Sequence, residues 1–198
     1  MTGDVLFNAF DRGRYATDAS FYQIMPLGVV IPRTIDEALR ALAIARDDGL
    51  VVTPRGGGTS QCGQTVNGGV VVDFSKHLNR ILSLDIENRI CVVEPGIVLD
   101  DLNRQLKKHG LWFPVDVSTA SRATIGGMTA NNSCGGRSLR YGNTRENVIA
   151  IEATNWPDPR HGKGAQVWLV IAQEEHVFEQ RRRPDRVSDL FPRGGQPP

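Results

Sequence analysis

Residues 51–65 read VVTPRGGGTSQCGQT, and this stretch decides the fold. A short β-prone run leads into a proline, an arginine and three consecutive glycines, Gly56, Gly57 and Gly58. Glycine has no side chain, so it marks places where the backbone turns sharply or where another group approaches it closely. The stretch therefore predicts a strand that delivers an exposed main-chain loop.

Three kinds of phosphate loop, and one ligand-free structure, could explain these glycines. A nucleoside-triphosphate loop is disfavoured because Gln64 stands where that motif needs a lysine. A Rossmann fingerprint is disfavoured because Gln61 replaces its third glycine and no helical pattern follows. A nest of backbone N–H groups around a pyrophosphate fits, with hydroxyl donors from Thr59 and Ser60. A strand-to-strand turn without a ligand remains open.

The sequence around the loop predicts alternating strands and helices. Residues 28–32 resemble a short strand, and Thr34 with Glu37 forms the pattern of a capping box before a helical period. Gly49 ends that helix, and the following strand leads into the glycine loop, which completes a β–α–β unit. Further strands are expected at 68–74, 81–96 (two strands with a turn at 87–89) and 147–154, and a helix at 98–110 with Gly110 as its stop.

A second loop-rich segment, residues 111–143, is long and rich in Gly, Ser, Thr and Asn. Loops of this length inside a compact domain are usually functional or disordered. Its apolar residues are interleaved with small ones, which favours a functional segment. Two small-residue segments in one chain weaken the ligand-free explanation of the first.

The bulk composition excludes several function classes. The chain has 198 residues and a net charge of +1, so no electrostatic attraction to nucleic acid is expected. No apolar run is long enough to span a bilayer, and the N-terminus lacks a secretory-signal pattern. Cys62, Cys91 and Cys134 are scattered, which argues against a disulfide scaffold, zinc site or iron–sulfur cluster and favours a cytoplasmic location.

Three segments together carry a resemblance to a known family. They are TPRGGGTSQCGQTVNGGVVVDFSKHLNRIL (53–82), VEPG (93–96) and FPVDVSTASRATIGGMTANNSCGGRSLRYGNTRENVIAIEA (113–153). In order and spacing they resemble the PCMH-type FAD-binding domain of the vanillyl-alcohol-oxidase superfamily. Within it, they are most similar to FAD-linked dehydrogenases of D-lactate, glycolate and D-2-hydroxyglutarate. The resemblance covers roughly residues 14–153.

The resemblance implies an α+β fold of the α/β kind, with two subdomains and FAD lying extended between them. The first loop would cradle the pyrophosphate through backbone N–H groups, and the second segment would approach the flavin, the ribityl chain, the diphosphate and the adenine. The implied cofactor-binding residues are Arg55, Gly56, Gly57, Gly58, Thr59, Ser60 and Gln64 in the first loop, Pro114, Asp116 and Ser118 toward the flavin or ribityl chain, Thr124, Gly126 and Gly127 around the diphosphate and ribityl chain, Asn132, Gly135 and Gly142 as a continuation of that wall, and Ile149 at the adenine.

The resemblance also implies how the flavin is attached. Some members of the superfamily link it covalently through a histidine near the glycine loop, where this chain has Thr59 and Ser60. We therefore expect non-covalent FAD. Cys62 is expected to be a small buried thiol rather than a flavin link. A valine at Gly57 is expected to abolish FAD retention by filling the nest and forbidding a positive φ.

The chain departs from the family after residue 154. We expect a lead-in at 1–27, the FAD-binding domain at 28–154 (subdomains 28–75 and 76–154) and an atypical, poorly ordered tail at 155–198. The 45 residues after Ala153 leave no room for the family's cap, or substrate domain. The four histidines are scattered, so no catalytic residue and no metal ligand is assigned.

The leading hypothesis is the FAD-binding part of an oxidoreductase. A full-length enzyme of this kind would oxidise a small 2-hydroxy acid of D configuration by hydride transfer to flavin N5. The alternative is a non-catalytic fragment that folds but turns over no substrate. Neither hypothesis includes a nucleic-acid partner or an integral membrane segment.

Overall fold

The computed structural model of the chain describes residues 1–153 and the backbone of residues 168–172. In this part of the chain, eight strands form two four-stranded sheets, and five α-helices lie between the strands in the sequence. The strands are β1 (Asp4–Leu6), β2 (Gly28–Ile31), β3 (Val52–Arg55), β4 (Val70–Asp73), β5 (Ile81–Asp85), β6 (Ile90–Val93), β7 (Val148–Glu152) and β8 (Trp168–Ala172). The helices are α1 (Ala9–Arg14), α2 (Ile35–Asp47), α3 (Leu99–Lys107), α4 (Ile125–Ala130) and α5 (Ser138–Tyr141), with a 3₁₀ turn at Thr144–Asn147.

The first sheet has the strand order β1-β2-β4-β3. The predicted β–α–β unit is present as β2–α2–β3, but β4 lies between its two strands and pairs with both in parallel. Parallel strands are usually buried on both faces, and β2 is buried along its whole length. Val29, Ile31 and Val71 pack with Tyr15 as the core of this half.

Helix α2 begins and ends as the sequence predicts. The Thr34 side chain accepts a hydrogen bond from the Glu37 N–H at 3.2 Å, and Gly49 adopts φ +65° after the helix. The expected capping box is only half formed, because the Glu37 carboxylate turns toward the N-terminal residues. It accepts from the main-chain N–H groups of Arg33 at 2.9 Å and Gly3 at 3.1 Å.

The N-terminal residues are part of the first sheet, although their sequence shows no clear period. Strand β1 pairs antiparallel with β2, and helix α1 follows it. Tyr15 and Ala16 are buried. The pairing of β1 with β2 spans more than twenty residues of chain, so local patterns did not predict it.

The second sheet has the order β5-β6-β8-β7, with every pair antiparallel. Strand β8 falls in segment 155–198, which the sequence predicts to be a poorly ordered tail. It lies between β6 and β7 and pairs with an edge of each strand. The rest of the predicted tail, 155–167 and 173–198, lies outside the described residues.

A separate core lies under the second sheet. As predicted, helix α3 buries Leu99, Leu102 and Leu106. The segment between α3 and α4 adds Phe113 and Val115 to the same cluster. The two sheets thus have one hydrophobic cluster each, and the glycine loop leaves the first sheet from the end of β3.

Candidate cofactor-binding site

Arg55, the last residue of β3, holds the base of the glycine loop through its side chain. Its guanidinium donates to the carbonyl oxygens of Thr17 at 2.7 Å, Thr65 at 3.3 Å and Tyr15 at 3.4 Å. It also lies 5.4 Å from the centre of the Tyr15 ring. Burial lowers the pKa of Arg55, but the group remains a cation because its ordinary pKa is so high. The side chain therefore fixes the loop rather than facing a ligand.

A buried pair lies behind this arginine. The Tyr15 hydroxyl donates to Asp73 Oδ2 at 2.7 Å, and Asp73 Oδ1 accepts from the Ser75 N–H at 2.7 Å. Burial, reinforced by the Asp73 carboxylate, raises the pKa of the Tyr15 hydroxyl, so it stays protonated and remains a donor. These bonds join Tyr15, in the lead-in, to the end of β4 at Asp73.

The glycines of the loop serve two different geometric needs. Gly58 and Gly63 have positive φ angles, +65° and +71°, which L side chains rarely adopt. Gly56 and Gly57 do not, so the expectation of a positive φ at Gly57 is wrong. They are needed instead because a Cβ at either would lie closer than 3.0 Å to the second segment.

Residues 56–60 carry a run of main-chain N–H donors. Within residues 1–153 and 168–172, no acceptor takes a hydrogen bond from the N–H groups of these five residues. Successive N–H groups in a tight glycine turn form a cavity that attracts anions. This arrangement fits the pyrophosphate of FAD.

The side chains of the first loop offer fewer donors to a ligand than the sequence predicts. The Ser60 hydroxyl donates to Gln64 Oε1 at 2.8 Å and accepts from the Cys62 N–H at 3.2 Å. Ser60 and Gln64 therefore stabilise the turn that follows the nest. Cys62 is exposed, so the prediction of a buried thiol at this position is wrong. Cys134 is also exposed, whereas Cys91 is buried and burial raises its pKa to about 11.

The two predicted segments meet directly. A Cβ at Gly56 would collide with the Thr124 side chain, and one at Gly57 would collide with the carbonyl of Arg122. Only residues without side chains allow this approach. The structure thus brings residues 55–60 and 122–124 together, as binding of one diphosphate by both segments requires.

The N–H groups at the start of α4 are used inside the protein. Thr124 caps the helix by accepting from the Gly127 N–H at 3.3 Å, and the Gly126 N–H donates to the Pro95 carbonyl at 2.8 Å. A Cβ at Gly126 would lie 2.7 Å from Pro95 Cβ. Close packing on Pro95 therefore explains Gly126, whereas a Cβ at Gly127 would meet only the Thr124 hydroxyl, at 3.2 Å. Any contact the two glycines make with a cofactor would come from their Cα and carbonyl surfaces.

The remaining predicted residues are spread along the second segment. Gly135 packs on the main chain of Asp116, whose Oδ1 accepts from the Arg137 N–H at 2.8 Å. Asn132 has φ 47° and accepts from the Arg145 N–H at 2.9 Å. Pro114 is buried, Ser118 is exposed, Gly142 lies beside Glu146 with φ +77°, and Ile149 lies in β7.

Sequence reasoning missed the part that the lead-in plays at this site. The Ala19 N–H donates to the Gly58 carbonyl at 3.0 Å, and Asp18 accepts from the Thr65 hydroxyl at 3.0 Å. The Ser20 N–H also donates to Asp18, at 2.9 Å, in a local turn. The run Asp18-Ala19-Ser20 was the available signal, since Asp two residues before Ser favours such turns.

In the described part of the chain, none of the helices combines the length and the apolar composition that crossing a membrane requires. In the same part of the chain, no three His, Cys, Asp or Glu side chains come together as metal ligands would.

Comparison with known proteins gives the family. The FAD binding domain family matches residues 26–160. D-2-hydroxyglutarate dehydrogenase of Escherichia coli (strain K12) is 44% identical over 156 residues, which are 77% of this chain and 15% of that protein. Glycolate oxidase subunit GlcD of Bacillus subtilis (strain 168) is 41% identical over 157 residues, which are 77% of this chain and 33% of that protein. The chain thus spans a minor part of these relatives.

A solved structure supports the same fold. Alkyldihydroxyacetonephosphate synthase aligns with a TM-score of 0.74 at 20% identity, covering 86% of this chain and 37% of that one. The predicted α+β fold and the predicted cofactor, FAD, are confirmed by these matches. This chain belongs to the FAD binding domain family, and it shares its fold with alkyldihydroxyacetonephosphate synthase.

Proposed function

We propose that this chain is the FAD-binding part of an oxidoreductase that oxidises a D-2-hydroxy acid. One observation carries the proposal: the N–H groups of residues 56–60, which have no acceptor among the described residues, lie where the glycine loop contacts the second segment at Thr124. An anion held there would contact both segments. The named relatives, a D-2-hydroxyglutarate dehydrogenase and a glycolate oxidase subunit, support the choice of substrate class.

The protein's own part in this chemistry is binding and orientation. Bound FAD would supply a hydride acceptor, flavin N5, for the hydrogen on the substrate's carbinol carbon. Residues 56–60 would hold the pyrophosphate through main-chain N–H groups, and Arg55 would keep that turn in shape. Thr124 would keep α4 capped at the contact between the segments.

The second segment would hold the rest of the cofactor. Asp116 and Gly135 form one wall through their direct contact, and Asn132 is fixed by its bond to the Arg145 N–H. Ile149 in β7 would meet the adenine through its main chain. These assignments rest on the positions that the resemblance implies.

Non-covalent attachment stays a prediction, and so does a cytoplasmic location. Thr59 and Ser60 replace the histidine that some members of the superfamily use, and the first histidine of the chain is His77. Acid precipitation of the loaded protein tests the attachment: non-covalent FAD is released into the supernatant, and a covalent flavin stays in the pellet.

Purification of the 198-residue chain in the presence of FAD tests the proposal. Flavin absorbance that stays with the protein through gel filtration supports it, and a colourless protein contradicts it. D-2-hydroxyglutarate and D-lactate are then added with an artificial electron acceptor. Bound flavin without turnover identifies a binding module that needs the rest of a longer protein, since the chain spans only 15% of the E. coli relative.

A further inference from the structure

We propose that Phe21 and Tyr22 form an aromatic platform that stacks on a ring of the dinucleotide. The proposal rests on the proposed function and extends the site to the lead-in segment, which the family resemblance did not include among its binding residues. The ligand is a planar heterocycle joined to a phosphate, either the adenine or the isoalloxazine of FAD.

The segment that carries the two rings is fastened to the glycine loop. The Thr17 carbonyl accepts from the Arg55 guanidinium at 2.7 Å, and the Ala19 N–H donates to the Gly58 carbonyl at 3.0 Å. A third bond joins Asp18 to the Thr65 hydroxyl. These three bonds hold the residues that precede the rings against the glycine loop.

The two rings lie next to each other in a tilted arrangement, and both are at least half exposed. Their centres lie 4.8 Å apart with a tilt of 37°. Phe21 is 89% exposed and Tyr22 is 50% exposed. The Tyr22 ring lies against Gly63, where a Cβ would be 2.6 Å from it. A glycine with positive φ at the end of the loop thus makes room for the aromatic ring.

The aromatic pair and the N–H groups of the glycine loop together indicate a surface that binds a nucleotide, rather than an ordinary exposed aromatic side chain. A single exposed phenylalanine is common in folded proteins. Here an exposed aromatic pair contacts the glycine loop at Gly63, and residues 56–60 of the same loop have N–H groups with no acceptor among the described residues. Aromatic faces bind heterocycles and N–H nests bind phosphates, so the two features suit the two halves of a nucleotide. Phe10, also exposed, lies instead in α1 with the Arg14 guanidinium over its ring.

Binding titrations of the full chain with FAD, FMN and ADP test the proposal. The variants are Phe21→Leu and Tyr22→Leu, which keep an apolar side chain but remove the aromatic face. Phe10→Leu is the matched control. We expect the dissociation constant for FAD to rise about tenfold in either platform variant, the effect typical of losing one stacked ring, and to stay constant in the control. Thermal unfolding verifies that each variant folds.

The smaller ligands identify the stacked ring. Weaker ADP binding with unchanged FMN binding assigns the platform to adenine, and the reverse assigns it to isoalloxazine. Unchanged FAD affinity in both platform variants overturns the inference but leaves the proposed function intact. Failure of the wild-type chain to bind FAD overturns both.

Discussion

Replacing Gly57 by alanine should separate the two segments that form the site. The added Cβ would lie 2.9 Å from the carbonyl carbon of Arg122 and closer still to its oxygen. Ordinary van der Waals contact begins at 3.4 Å, so the two segments must move apart by at least 0.5 Å. The obstacle is main chain on both sides, so no side-chain rotation relieves it.

The cost of that separation falls on stability, on FAD binding or on both. Overpacking of this kind costs about 1–3 kcal/mol. If the loop moves and the fold tolerates the movement, the same energy weakens FAD binding by about fivefold to 150-fold. Gly68→Ala is the matched control, because a Cβ there meets nothing within 4 Å and the φ angle is not positive. We expect its stability to change by less than about 0.5 kcal/mol.

The assay combines thermal unfolding with a fluorescence titration of FAD. The expected result is a lower unfolding midpoint, a weaker FAD affinity, or both for Gly57→Ala, with Gly68→Ala close to the wild type in each. The reasoning is refuted if the two alanine variants match each other in stability and in affinity, since the close approach to Arg122 would then have no energetic consequence.

Two other perturbations follow from the structure. Arg55→Lys should weaken FAD binding by about tenfold, because an ammonium cannot reproduce the guanidinium geometry that holds three carbonyl oxygens. Arg40→Lys, at an exposed position, is the control. Equal FAD titration curves for the two variants would contradict the role of Arg55 in holding the loop. Hydrogen bonds from the main-chain N–H groups of Arg33, Thr2 and Gly3 lower the pKa of Glu37 from 4.5 to about 2. The contribution of Glu37 to the free energy of unfolding is therefore full above pH about 4.5 and is lost as the pH falls toward 2. The unfolding midpoint should fall less between pH 4.5 and 2 in Glu37→Gln than in the wild type. Parallel plots of midpoint against pH for the two proteins would contradict the assignment.

The local elements were predictable from the sequence, and the long-range pairings were not. Helices α2 and α3 follow from a capping residue and from leucines at helical spacing. Strands β1 and β8 pair with residues far away in the chain, and their short sequences have no distinctive period. A pairing of that kind depends on which sheet edges the folded chain leaves open.

The position of the site was predicted from the sequence, but the reasons why some of its glycines are needed were not. The glycine loop and the second segment do meet. Gly57, however, is required by packing on Arg122 rather than by a positive φ, and Gly126 is required by packing on Pro95 rather than by a free N–H. Local sequence identifies a glycine but not the backbone that approaches it. The exposure of Cys62 was missed for the same reason, because burial is set by the fold around the loop.

Thiol reactivity with and without FAD tests most directly whether both segments enclose one cofactor. Cys62 lies in the first loop and Cys134 in the second segment, and both are exposed, while buried Cys91 with its raised pKa is an internal control. The expected result is that FAD slows alkylation of Cys62 and Cys134 together, at the concentration where flavin fluorescence reports binding, with Cys91 slow throughout. Protection of only one of the two exposed thiols, or of neither at saturating FAD, would contradict the account.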